Sequence, residues 1–203
     1  MCLVDDPRTE HAKGKKIGIE HLGNVAGGDA TEYLNVPNQF MKDCVKQILV
    51  EQGIPVWFGA DCHPFMDREN GAWATDLFEY GRVYDVDFDL DKEARVRFGD
   101  SAMNHAMAFA GVDVADDGTT RRWRVENSWG TKIADKGYFT MSDDWFTEYV
   151  YEVAVPKSML QPNTRSSRRA RHHASGLGSD GRTRIRKSPV GSFASAPTAA
   201  AAR

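Results

Sequence analysis

Residues 105–127 read HAMAFAGVDVADDGTTRRWRVEN. Apolar side chains alternate over residues 105–112 and again from Trp123 to Asn127, as they do on strands with one buried face. Between the two segments, Asp116-Asp117-Gly118 has the composition of a tight turn. The stretch therefore predicts a β-hairpin.

This hairpin brings two polar residues together, because His105 opens its first strand and Asn127 closes its second, 22 residues later. An imidazole can act as a general base near neutral pH, provided that a partner fixes its ring and its tautomer. An amide oxygen does so without adding charge, and Trp129 is placed to shield the bond from water. On the residues alone, the more common arrangement is a structural histidine in the core and an asparagine with a turn role, so both interpretations stay open at this point.

The rest of the body predicts a mixture of helices and strands. Residues 35–38 have the features of a helix start, with Asn35 as the capping residue and a proline in the first turn. Gly53 is expected to end this helix. Its apolar residues recur at helical spacing; they are Phe40, Met41, Cys44, Val45, Ile48 and Leu49.

Strand patterns and short helical patterns alternate beyond this helix, so we predict an α+β fold. A half-buried strand is expected around Val83, Tyr84, Val86 and Phe88, where apolar and acidic residues alternate. A charged helix or turn is expected over residues 91–100. The other predicted elements are strands at residues 54–59, 138–141 and 150–155, with a helical turn over residues 143–149.

The chain of 203 residues divides into two parts of opposite charge. Residues 1–156 carry a net charge of −12 and contain all the predicted elements. Residues 157–203 carry a net charge of +9 and are rich in Ser, Gly and Ala. We predict disorder from Gln161 onward, because so few apolar residues cannot offset the entropy lost on folding.

Composition excludes several classes of protein. Hydrophobic residues at 41% and charged residues at 27% are typical of a globular domain. Three cysteines exclude a disulfide scaffold. We see neither an apolar run long enough for a membrane span nor a signal peptide, and we expect a reducing, cytoplasmic location.

Several segments resemble a known family. NHAM at residues 104–107 and WRVENSWG at residues 123–130 are similar to the histidine and asparagine segments of papain-like cysteine peptidases. Longer stretches resemble the bleomycin hydrolase branch, and the resemblance extends from about Cys2 to about Pro156. These stretches are CLVDDPR (2–8), GNVAGG (23–28), PVWFG (55–59) and MSDDWFTEYVYEV (141–153).

The resemblance implies a papain-like fold, of which this chain supplies mainly the β-rich lobe with the histidine and asparagine. It implies a thiol aminopeptidase that acts on peptides, needs no cofactor or metal and assembles as a homo-hexamer. By the same resemblance, His105 is the base that later protonates the leaving amine, Asn127 orients it and Trp129 shields the pair.

The nucleophile of that family has no counterpart here. Its cysteine begins a helix and precedes a tryptophan, whereas Cys2, Cys44 and Cys62 have other neighbours. Cys44 fits a buried apolar role, and Cys62 and His63 point to opposite faces of an extended segment. We therefore expect the C-terminal part of such an enzyme, inactive by itself, with an exposed apolar face toward the missing lobe.

The basic tail supports a second hypothesis, a non-catalytic remnant that binds a partner or nucleic acid. Its two clusters are Arg165, Arg168, Arg169 and Arg171, then Arg182, Arg184, Arg186 and Lys187. Such clusters neutralise phosphates, but aromatic residues for base stacking are nearly absent.

Three other motifs are incomplete. An EF-hand at residues 85–96, a phosphate loop at residues 23–28 and a zinc site each lack required residues.

Overall fold

A computed structural model describes residues 1–160 except Glu20, His21, Gly23, Asn24, Asp29 and Asp89, and beyond them only the backbone of residues 184–185. The predicted disorder of residues 161–203 and the side chains of the two arginine clusters therefore lie outside the described residues. No helix in the described part combines the length and the apolar character that crossing a bilayer requires.

Short helices are interspersed among strands, as the α+β prediction requires. The helices are α1 (Asn38–Gln47), continued by a π-helical turn (Ile48–Gln52), α2 (Tyr80–Tyr84), α3 (Lys92–Phe98), α4 (Asp143–Tyr149) and a 3₁₀ turn (Lys157–Met159). The strands are β1 (Cys2–Val4), β2 (Lys16–Ile19), β3 (Tyr33–Asn35), β4 (Val56–Ala60), β5 (Met66–Asp67), β6 (Ala72–Trp73), β7 (His105–Val114), β8 (Thr120–Glu126), β9 (Tyr138–Ser142), β10 (Val150–Ala154) and β11 (Arg184–Ile185).

The strands of the described part pair in the order β11-β2-β3-β1-β10-β4-β7-β8-β9-β6-β5. The long antiparallel hairpin β7–β8 lies at its centre and confirms the hairpin prediction. Gly118 has a φ of 86°, and the Ala115 N–H donates to the Thr119 carbonyl at 2.8 Å, so the predicted turn closes the hairpin. Strands β4 and β9 flank this hairpin on either side.

The core is built around stacked aromatic side chains from the central strands and α4. The Phe58 and Phe109 rings stack at 3.9 Å, and Phe109 stacks on Phe146 of α4 at 5.2 Å. Burying three tryptophans requires partners for their indole N–H groups. Each finds an oxygen: Trp73 donates to the Cys62 carbonyl, Trp123 to the Asp143 carboxylate and Trp145 to the Pro64 carbonyl.

The predicted start of the first helix is wrong, whereas its predicted end is right. Asn35 does not cap α1, because it lies in β3, fully buried, and its amide donates to the carbonyls of Asp6 and His11. Pro37 occupies the cap position without a side-chain bond. Gly53, at a φ of 63°, does end the helical segment as predicted.

The predicted strand around residues 83–88 is also wrong. Val83 and Tyr84 belong to α2, and Val83, Val86 and Phe88 are all more than half exposed. The large apolar side chains there remain exposed, and no strand pairs with the segment in the described part of the chain. The charged helix or turn expected at residues 91–100 forms as the helix α3, which Asp91 caps.

A buried ionic cluster ties the N-terminal segment to α3 and α4. The Lys92 ammonium donates to the Asp5 carboxylate at 2.8 Å and to the carbonyls of Thr147 and Val150. Burial lowers the pKa of the Lys92 ammonium, and the Asp5 carboxylate offsets part of that effect. Burial alone would raise the pKa of Asp5, yet Lys92 and Lys13 together hold it below its ordinary value.

Removing the Lys92 ammonium should be costly. We expect Lys92→Ala to lower the free energy of unfolding by about 3 kcal/mol, because a buried carboxylate loses a partner and two carbonyls lose their donor. Arg82→Ala is the matched control, since its pair with Glu79 is exposed and should contribute less than about 1 kcal/mol. Urea unfolding measures both, and equal losses would contradict a structural role for Lys92.

Acid should lower the free energy of unfolding by protonating the buried carboxylates of the N-terminal segment. The pKa of Asp6 is also below its ordinary value, because Arg8 and His11 outweigh the effect of its burial. A carboxyl with a lower pKa in the folded state contributes stability that is complete above its unfolded pKa, about 3.9, and is lost as pH falls through the folded value. We expect the free energy of unfolding to decline below about pH 4, and Asp6→Asn to reduce that slope. An unchanged slope would refute the assignment.

Candidate active site

His105 is placed by the pairing of β7 with β4. In the register His105 lies opposite Ala60, and Met107 lies opposite Phe58. Directly opposed residues of an antiparallel pair share a face, and so do residues two apart along a strand. The imidazole therefore lies at the end of the buried row that continues through Met107 and Phe109, partly exposed where the row ends.

Asn127 follows the last residue of β8 and meets this ring. The His105 Nε2 lies 2.9 Å from Asn127 Oδ1. The same oxygen accepts the backbone N–H of Ser128 at 2.7 Å. A backbone N–H can only donate, so the atom facing it must be the amide oxygen. His105 therefore carries its proton on Nε2 when neutral, and its Nδ1 holds the free lone pair.

Trp129 lies against the same imidazole. The two rings are nearly parallel, with an interplanar angle of 22° and centroids 5.3 Å apart. The indole also meets the edge of Phe139 at 5.7 Å, and the guanidinium carbon of Arg68 lies 5.1 Å from its centre. Packing on these sides restricts the ring motion of both Trp129 and His105.

The residue before the histidine is clamped to the end of β4. The Asn104 backbone N–H donates to the Ala60 carbonyl at 3.0 Å, and its side-chain oxygen accepts the Cys62 N–H at 3.1 Å. Its side-chain nitrogen donates to the buried carboxylate of Asp61 at 2.6 Å. The backbone that carries His105 is thus held from both sides by polar contacts.

The loop after Asn127 folds back onto β9. The Asn127 N–H donates to the Gly137 carbonyl at 3.1 Å. Gly137 has a φ of 91°, and an added Cβ there would lie 3.1 Å from the Gly130 oxygen. A side chain at this position would therefore strain the turn that holds Asn127 and Trp129 in place.

None of the three thiols has the character of an activated nucleophile. Burial raises the pKa of Cys2, Cys44 and Cys62 to about 11 in each case, whereas catalytic thiols have a lowered pKa. Cys44 and Cys62 are buried, and His63 next to Cys62 has a side chain that is 75% exposed. The expectations for Cys44 and for the Cys62–His63 pair agree with these positions.

We predicted from the sequence that His105, Asn127 and Trp129 lie close together, and they do. We did not predict the residues that hold them in place. Asp61 and Arg68 carried no signal, since each is an ordinary charged residue beside a predicted strand or turn. Their partners lie 43 and 61 residues further along the chain, at Asn104 and Trp129. Within the described residues, no group of three or more metal-binding side chains converges.

Comparison with known proteins gives consistent matches. A family model described as the peptidase C1-like family matches residues 1–172. Aminopeptidase C of Streptococcus thermophilus is 37% identical over 163 residues, covering 79% of this chain and 36% of that protein. Bleomycin hydrolase of Homo sapiens is 41% identical over 160 residues, covering 77% of this chain and 35% of that protein.

A solved structure agrees with that of this chain over most of the chain's length. PepW from Lactobacillus rhamnosis HN001 superposes with a TM-score of 0.83 at 33% identity, covering 92% of this chain and 40% of PepW. The chain thus spans a little over a third of the length of the curated relatives that it matches.

The hydrogen bond between the histidine and the asparagine can be tested by imidazole ¹⁵N NMR. In the unaltered chain we expect neutral His105 to be protonated on Nε2, because only that tautomer donates to Asn127. In Asn127→Ala we expect a mixture of both tautomers, since no fixed acceptor selects one. Gln39→Ala on the exposed face of α1 is the control for loss of an amide. An unchanged tautomer in Asn127→Ala would contradict the pairing.

Proposed function

The chain belongs to the peptidase C1-like family, and from this premise we propose that it carries the acid–base half of a cysteine aminopeptidase of the bleomycin hydrolase type. The predicted papain-like α+β fold and the predicted resemblance to that branch are confirmed by these matches. In the proposed reaction the peptide bond after an N-terminal residue is hydrolysed through an acyl-thioenzyme. The thiol comes from a polypeptide segment other than those that carry Cys2, Cys44 and Cys62.

The observation that carries this proposal is the contact between His105 Nε2 and Asn127 Oδ1, from which the tautomer of His105 follows. Its Nε2 proton is engaged by Asn127, so only Nδ1 is available to exchange protons with reactants. A general base must keep its lone pair directed at one place through the reaction cycle. An amide partner also leaves the imidazolium free to lose its proton again, because it adds no negative charge.

The proton path follows from these two nitrogens. Nδ1 takes the thiol proton, and the thiolate attacks the carbonyl carbon. The Nδ1 proton then passes to the leaving amine as the C–N bond breaks, which yields the thioester and the free amine. Water next attacks the thioester while Nδ1 takes its proton, and that proton returns to the departing thiolate. His105 Nε2 stays bound to Asn127 throughout.

Two observations support a catalytic thiol other than those of Cys2, Cys44 and Cys62. All three thiols of the chain have a pKa of about 11, so at neutral pH their thiolate fraction is roughly 100-fold or more below that of an ordinary cysteine. In addition, Asn127 Nδ2 is buried without a hydrogen-bond partner among the described residues. A carbonyl from the segment that completes the site would satisfy this donor.

Trp129 has a shielding role in this proposal. Its indole covers the imidazole on one side, so water has less access to the bond between His105 and Asn127. A drier environment strengthens that hydrogen bond. The role differs from catalysis proper, because the indole exchanges no proton with the reactants.

We expect the pure chain to release no coumarin from an aminoacyl-aminomethylcoumarin. We also expect iodoacetamide to alkylate each of its thiols at least 100-fold more slowly than free cysteine at pH 7.5, because so little thiolate is present. A thiol that reacts faster than free cysteine, and loses that rate in His105→Ala, would show that the nucleophile lies in this chain. Release of coumarin that survives purification would do the same.

The positive test adds, as a separate chain, the part of aminopeptidase C from Streptococcus thermophilus that this chain does not match. Restored release should vanish in His105→Ala and fall about 10- to 100-fold in Asn127→Ala, which retains the base without its orienting partner. His172→Ala is the matched histidine control. Equal release by His105→Ala and the unaltered chain would refute the assignment.

A further inference from the structure

A surface cavity lies beside the candidate active site. Its volume is about 270 Å³, and it is lined by Arg68, Glu69, Lys132 and Ile133. Arg68 and Glu69 belong to the turn between β5 and β6, whereas Lys132 and Ile133 belong to the loop between β8 and β9. Two separate parts of the chain thus form its walls.

Trp129 connects this cavity to the imidazole. The guanidinium of Arg68 lies over the indole at 5.1 Å, and the same indole stacks on His105 at 5.3 Å. The Trp129 indole therefore contacts both the cationic wall of the cavity and the proposed base. A molecule that binds to Arg68 in the cavity would lie near the indole that stacks on His105.

The first wall is held by local hydrogen bonds. Asp67 accepts the backbone N–H groups of Glu69 and Asn70 at 3.1 and 3.0 Å. The Asn70 side chain donates to the other carboxylate oxygen at 2.7 Å. This Asx-type turn fixes the backbone that presents Arg68.

The two walls are also joined to each other. An added Cβ at Gly71 would lie 2.2 Å from the Ala134 Cβ, so the turn and the loop are in direct contact there. The Thr140 N–H donates to the Gly71 carbonyl at 2.8 Å, which ties the turn to β9. The backbone of the turn and that of the loop are therefore held against each other beside the cavity.

The charges of the lining select the chemistry of a ligand. Arg68 and Lys132 supply two cations and Glu69 one carboxylate, so the cavity has a net positive charge. A guanidinium and an ammonium together favour a carboxylate, to which they donate charge-assisted hydrogen bonds. The aliphatic side chain of Ile133 and the nearby indole suit the methylene groups of an amino-acid residue.

We propose that this cavity binds a carboxylate on the residue that follows the scissile bond, which makes the enzyme selective for acidic leaving groups. The proposal rests on the proposed function, because His105 must lie beside the leaving nitrogen in order to protonate it. The leaving residue then lies beside Trp129 and within reach of Arg68 and Lys132. Its carboxylate is either an acidic side chain or the α-carboxylate of a dipeptide.

The test measures binding to the chain itself and needs no turnover. Three leaving-group products serve as probes: glutamic acid amide carries only the side-chain carboxylate, glutamine only the α-carboxylate, and glutamine amide neither. We expect NMR titration of the Trp129 indole N–H to show at least one carboxylate probe binding roughly fivefold more tightly than glutamine amide. The stronger of the two identifies the source of the carboxylate. Equal affinities for all three would overturn the proposal.

Variants of the lining residues show whether the preference for carboxylate probes arises in the cavity. Lys132→Ala and Arg68→Ala should each remove most of the preference, whereas Glu69→Gln should increase it, because a competing carboxylate is lost. Arg121→Ala is the matched control, since it removes an exposed cation near the hairpin tip, about 20 Å along β8 from Asn127. A preference that survives both cavity variants, or is lost equally in Arg121→Ala, would overturn the proposal. Loss of reconstituted activity with this preference intact would refute only the proposed function.

Discussion

The register of β7 against β4 and β8 is the constraint on which the rest of the structure depends. A strand alternates its side chains between two faces, so a shift of one residue would move every side chain of β7 to the opposite face. Phe109 would then leave the core, and His105 would leave the end of the buried row. Because the aromatic core stabilises one register, the same packing that folds the sheet also positions the imidazole opposite Ala60 and near Asn127.

Hydrogen bonds at the ends of strands fix the backbone around the histidine that the strand register has positioned. Asp61 is buried and holds Asn104, and Asn127 is held through Ser128 and Gly137. Each of these groups would be costly to bury without its partner, so satisfying them locks the backbone on both sides of the histidine. Rigidity at the site is therefore a consequence of hydrogen bonding at strand ends, and Trp129 adds packing from a third direction.

An alternating apolar pattern does not by itself predict a buried strand, as residues 78–90 demonstrate. Seven large hydrophobic side chains there are at least 40% exposed, although their alternation with acidic residues is typical of a half-buried strand. Alternation shows which side chains share a face, but a face is buried only if another element covers it. In the described part of the chain no strand pairs with this segment, whereas the buried row of β7 is covered at Phe109 by Phe146 of α4.

The sequence by itself determined the elements whose signals are local: the hairpin, the end of the first helix at Gly53, the helix or turn at residues 91–100 and the meeting of His105 with Asn127. These follow from periodicity and turn chemistry within a few residues, or from two strands joined by one turn. Only the tertiary structure decided the tautomer of His105, the clamp of Asn104 by Asp61 and the cover of Arg68 over Trp129. Such contacts join residues that are distant in sequence or depend on which atom of an amide faces a donor, and neither is encoded in local pattern.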